Sequence, residues 1–161
     1  MSVGTAHATL TRAASFWAGQ ADRWGDWDEP RAAVRARYTA NCLRELDGFL
    51  RLLLDELAPA PDRRQRNTAN KLDAFAASSG YPLGGAVRLR AIGRSAGCLL
   101  HCAGWVRRPD VTSGGWMTAG WREPAGPTLQ RYPMGDRLRP GPAEISDVCG
   151  FFLRVGEAVA G

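Results

Sequence analysis

The chain has 161 residues, 45% of them hydrophobic and 23% charged. That is globular composition, sufficient for one domain with a sizeable core and short for two. No apolar run approaches the roughly 20 residues that span a bilayer, and Met1 to Leu10 lack the basic and apolar regions of a secretory signal, so a cytoplasmic protein without a membrane partner is expected. The net charge of +5 is uneven: from Asp62 to Arg108 eight arginines and one lysine face two aspartates, an excess of seven, which leaves about −2 for the rest. Such a basic middle favours a polyanionic partner such as nucleic acid.

Residues 2 to 20 read as a helix, with Leu10, Ala13, Ala14 and Trp17 at helical spacing. His7, one of two histidines, lies where an N-terminus is expected to fray. Trp-Gly-Asp-Trp-Asp (24 to 28) breaks the pattern. A second, longer helix of about 28 residues then begins: Asp28 or Glu29 can cap it, Pro30 suits its first position and Pro59 stops it. Val34, Tyr38, Cys42, Leu46, Phe49, Leu50, Leu53 and Leu57 give it an apolar face, which makes it the expected spine of the core.

A third helix is expected from Asp62 to Ser79-Gly80, burying Ala69, Leu72, Phe75 and Ala76. Its first turns carry Arg63, Arg64 and Arg66, which oppose the helix dipole and so suit phosphate contact better than a structural role. The fourth spans roughly 85 to 104, with Val87, Ala91, Ile92, Leu99 and Leu100 as its apolar positions, and Gly93 and Gly97 are expected to let another backbone approach closely or to permit a kink beside Arg94. From Trp105 to Pro140 glycine and proline recur, and only Trp116 to Trp121 and Thr128 to Leu138 read as strands, so a long loop or small β-hairpin is expected there. Gly141-Pro142 restarts a helix carrying Ile145, Val148, Cys149, Phe152, Leu153 and Val155. The expected fold is a mostly α, five-helix, up-and-down-like bundle with an excursion before the last helix, in one domain over 1–161.

The chemistry concentrates on the fourth helix. Arg94 and His101 stand seven residues apart, almost two turns, so both project from one face, and Arg90 extends the row. A guanidinium is a planar fork of donors matching phosphate, and imidazole accepts and returns a proton near neutrality. Together they can cleave RNA without a metal or other cofactor, the histidine acting on the 2′-hydroxyl or leaving oxygen while the arginine stabilises the phosphorane. Cys98, His101 and Cys102 do not match zinc spacing and read more simply as a helix residue beside two small buried thiols. The six tryptophans read mainly as anchors, with base stacking as the alternative.

The run Arg94-Ser95 followed by His101 resembles the R-x4–6-H signature of HEPN-domain proteins, helical proteins many of which are RNases of toxin–antitoxin and phage-defence systems. The resemblance implies Arg94 and His101 as the catalytic pair and Ser95 as the auxiliary polar residue, standing where Asn or Asp is more usual. It also implies a homodimer that brings two motifs together, and an antitoxin protein as a possible partner. Arg90, Arg63, Arg64 and Arg66 are the expected phosphate track. The other reading is a non-catalytic interaction domain whose second helix forms a partner interface.

Overall fold

A computed structural model describes residues 1–25, 27–57, 67–80 and 83–161. The described residues form five α-helices and one two-stranded antiparallel sheet, so the protein is mostly α. The helices are α1 (Val3–Ala21), α2 (Ala32–Leu57), α3 (Thr68–Ser79), α4 (Ala86–Cys102) and α5 (Pro142–Ala160). Strands β1 (Trp116–Arg122) and β2 (Leu129–Pro133) form the hairpin expected between α4 and α5. Helix α1 packs on α5 and α2, α2 also on α4 and α3, and β1 lies against α4 and α5. One continuous apolar core draws on all five helices and β1.

The N-terminus is not frayed: Ser2 accepts the Thr5 N–H and caps α1. His7 lies at the α1–α5 contact, where Gly156 lets the helices close until a Cβ there would sit 2.9 Å from Leu10 Cδ2. A short 3-10 turn, Glu29–Arg31, leads into α2 with Pro30 in its first turn, as expected. The buried face of α2 differs from the expected one in its first half. Ala32, Ala36, Thr39 and Ala40 are inside, while Val34 and Tyr38 are exposed. The small residues let the helix sit close to its neighbours, and Tyr38 instead joins an edge-to-face cluster with Trp17 and Trp24.

Helix α3 begins at Thr68, and the expected start at Asp62 lies outside the described residues. Asn67 has extended backbone, and its side chain accepts the Asn70 N–H, which ends the helix at that cap. Gly80 closes the other end in the left-handed region. On α4 the expected apolar Val87 is exposed, while Arg88 is buried. The expected second strand is shorter than the run from Thr128 to Leu138, because Gly135 turns the chain with φ +87° and only the isolated Trp105–Arg137 bridge lies beyond it. Helix α5 starts with Pro142 in its first turn, its Gly141 N–H held by Glu144 at 3.0 Å.

Candidate nucleic-acid interface

Helix α4 presents two rows of side chains. One row faces inward. Arg88 Nε donates to the Gly120 carbonyl at 3.0 Å, and Ser95 Oγ accepts the Gly120 N–H at 3.0 Å. Both backbone groups of one β1 glycine are thus satisfied by α4, as buried polar groups require. The approach is close enough that a Cβ on Gly120 would lie 2.4 Å from Ile92 Cγ1 and 2.7 Å from Ile92 Cα. Arg88 also pairs with Asp147 of α5 at 2.5 Å and lies over the Phe151 ring. Burial lowers its pKa and the nearby Asp147 carboxylate opposes that effect.

The other row faces out. Arg90, Arg94 and His101 are exposed, and Gly97 falls between Arg94 and His101. A Cβ built on Gly97 meets nothing within 4 Å, so the ridge has an open notch between guanidinium and imidazole. Arg94 Nε lies 3.1 Å from Asp110 Oδ1, and both Asp110 oxygens accept the Thr118 N–H at 3.0 Å. That carboxylate therefore ties the segment after α4 to the hairpin and to Arg94. Arg90 is held across to α3 by Asp73 at 2.8 Å and Asn70 at 3.1 Å.

The C-terminus of α4 sets the path of the chain beyond it. Ala103 adopts φ +50°, the Gly104 N–H returns to the Cys98 carbonyl, and Gly104 has φ +89°. A side chain at Gly104 would strike the Leu138 carbonyl at 2.7 Å. Arg137 Nε donates to the Ala103 carbonyl, placing a cation at the negative end of the helix, and its guanidinium lies 5.0 Å from the Trp105 ring. The Cys98 thiol donates to the Trp105 carbonyl at 3.3 Å. Burial pushes that thiol up to about 11, with Cys102 adding to the effect, so its thiolate is scarce at neutral pH.

Two hollows flank this ridge. The larger, about 770 Å³, runs between α4 and α2 and ends at the N-terminus of α3. Arg44 and Arg51 of α2 face Arg90, Arg94 and His101 across it, with Asn67 and Thr68 at the α3 end. Asp47 is the one carboxylate among the lining residues. Burial raises its pKa, against the lowering effects of the Thr68 hydroxyl, which donates to it at 2.8 Å, and of Arg51. Arginines and a helix N-terminus along one wall make the hollow attractive to anions.

Arg94, His101 and Arg90 thus share one groove. Ser95 does not line it: its side chain is fully buried and its oxygen takes up a β1 amide. Arg63, Arg64 and Arg66 lie outside the described residues. Arg44 and Arg51, and Arg107 and Arg108 beyond the helix, were not expected. Their signal was in the sequence: Arg37, Arg44 and Arg51 recur every seven residues on the polar side of α2, opposite the apolar stripe. Arg44, Arg107 and Arg108 make no ion pair among the described residues, which leaves their guanidinium groups available. No protein-family model, no curated protein and no solved structure matches this chain, so its reading rests on its own residues.

Proposed function

We propose that the protein binds RNA in the groove between α2 and α4 and cleaves it without a metal, with Arg94 and His101 as the acting pair. The observation that carries this reading is their joint exposure on one ridge, separated by the open notch at Gly97 and faced by further arginines. A phosphate seated in the notch would meet a guanidinium on one side and an imidazole on the other. His101 takes the proton of the ribose 2′-hydroxyl as that oxygen attacks the adjacent phosphorus. The bond from phosphorus to the 5′-oxygen then breaks, and the departing oxygen takes a proton from an imidazolium. Arg94, through its two terminal nitrogens, neutralises the charge that builds on the phosphorane. A second copy of the chain, as the resemblance to HEPN proteins implies, would supply the second imidazole. Ser95 would then act as a positioning residue, through the hairpin it holds.

A specific observation favours a second reading, binding without cleavage: the Asp110 carboxylate already offsets the charge of Arg94 at 3.1 Å. The experiment that separates them is RNA cleavage and RNA binding by purified protein with EDTA present, for wild type, Arg94→Ala, His101→Ala and Arg44→Ala. Nuclease action requires cleavage that both ridge variants lose while His101→Ala still binds. Binding without cleavage in wild type selects the second reading. No binding by any form rejects both, and leaves a protein partner on α2, whose Val34 and Leu52 are exposed.

A further inference from the structure

On the side of the ridge away from the groove lies a second hollow of about 420 Å³, within the range of small-ligand sites. Its walls are apolar or soft: the buried Met117 of β1, Cys98 and Cys102 one turn apart on α4, and the indole of Trp105, which is 41% exposed. Arg94, His101, Arg107 and Arg108 also line it, and no carboxylate does among the described residues, although Asp110 pairs with Arg94. Arg107 and Arg108, which make no such pair among the described residues, attract a phosphate and repel a cationic side chain. An exposed indole beside a thioether offers a surface for a flat ring. A flat uncharged ring joined to an anion within a side chain's reach is a nucleotide.

The indole is also held ready. Arg137 lies against the Trp105 ring, the Cys98 thiol holds its carbonyl, and Gly104 and Leu138 fix the backbone before it. A surface already in place loses less freedom on binding than a loose one. Besides His101 and the arginines, no hydroxyl, carboxamide or carboxylate side chain lines the hollow among the described residues, so the edges of a base would find few partners that tell one base from another. The high thiol pKa of Cys98 leaves no anion there to oppose a phosphate.

We propose that this hollow seats one unstacked base of a single-stranded RNA, its ring beside Trp105 and Met117 and its phosphate toward Arg107 and Arg108, with little preference among bases. The inference rests on the proposed binding of RNA in the groove and adds what that reading lacks, a reason to select unpaired strands. A duplex keeps its bases stacked and cannot fill the hollow without breaking a pair.

The test is fluorescence anisotropy with labelled oligoadenylate and oligouridylate of roughly ten nucleotides, the DNA versions and an RNA duplex, with unlabelled AMP as competitor. The proteins are wild type, Trp105→Ala, Trp105→Phe, Gly97→Leu and Arg44→Ala. Single strands should bind more tightly than duplex, with adenylate and uridylate within about fivefold of each other. Trp105→Ala should weaken single-strand binding about tenfold and leave duplex binding unchanged, and Trp105→Phe should recover most of the loss. Gly97→Leu projects from the shared wall of the two hollows, so it obstructs both and should weaken single-strand binding through either; Trp105→Leu, bulky but without a ring, takes the place of Trp105→Ala where that variant fails to fold. Single-strand binding unchanged in the ringless Trp105 variant, but weakened in both Gly97→Leu and Arg44→Ala, would overturn the base-seating role and leave the groove reading standing. No RNA binding by wild type overturns both. Displacement by AMP as strong as by the strand replaces RNA with a free mononucleotide, and equal affinity for the DNA strand overturns RNA as the selected polymer.

Discussion

Arg94 Nε stands 3.1 Å from Asp110 Oδ1, and that same carboxylate receives the Thr118 N–H on both of its oxygens. The pair restrains the arginine and masks part of its charge. Asp110→Asn keeps an acceptor for the Thr118 amide but removes the negative charge. The variant should bind single-stranded RNA several-fold more tightly at low salt, with the slope of log affinity against log salt steeper by about 0.7, one further phosphate neutralised. A titration across salt concentrations measures both. Weaker binding with an unchanged slope would instead assign Asp110 to aiming Arg94.

Two glycines should respond in opposite directions to the same substitution. Gly120→Ala drives a Cβ to within 2.4 Å of Ile92 and forces α4 off β1, a loss of about 2–3 kcal/mol in urea unfolding. Gly97→Ala points into open space on a helix surface and should stabilise by about 0.5–1 kcal/mol. Equal effects at the two positions would refute the close approach at Gly120.

Asp47 makes stability depend on pH in an unusual direction. Its pKa is raised in the folded protein, chiefly by burial, so the folded state holds the proton more tightly than the unfolded chain. Its contribution is therefore most favourable below the ordinary aspartate range and is lost as pH rises through the elevated folded value. Asp47→Asn cannot ionise and still accepts a bond from the Thr68 hydroxyl. The difference in stability between the variant and wild type should grow in the variant's favour across that window and then level off at neutral pH. Urea midpoints measured from acid to neutral pH check it; a difference that shrinks with rising pH would reverse the sign.

The Cys98 thiol, raised to about 11 from 9.0, should alkylate slowly. About a hundredfold less thiolate at neutral pH is partly offset by the greater nucleophilicity of a more basic sulfur, leaving iodoacetamide about tenfold slower than with an unburied thiol. Mass spectrometry of the labelled peptide over time, with pH raised stepwise, gives the rate and its midpoint.

What the sequence made legible is what repeats or punctuates. Pro30 and Pro142 mark helix starts, Leu10, Leu46 and Phe152 repeat at helical spacing, and glycine and proline announce the hairpin. The departures have local causes. Alanines at 32, 36 and 40 could bury as readily as Val34 because close helix packing selects small side chains, a choice that depends on the neighbour. Asn67 caps α3 through a bond to Asn70, a role that its residue type shares with aspartate, so composition alone does not pick it out. Arg94 and His101 were found because they lie on one helix. The rest of their surroundings come from α2 and from beyond Trp105, and Arg88 and Ser95, adjacent to the exposed row in sequence, turn to the opposite side to hold Gly120.

The tight seating of α1 on α5 at Leu10 and Gly156 bears on how the chain is made. Residues 3–21 leave the ribosome before the helix that covers them, by roughly 10 to 30 s at ordinary rates of synthesis. Through that interval α1 has α2 to rest on but its face toward α5 stays wet. The buried stripe it exposes is largely alanine, Ala6 and Ala14 with Leu10 between them, a sparing amount of apolar surface for a segment that waits so long for its cover. The packing of α1 is thus completed only when α5, more than a hundred residues further along the chain, arrives.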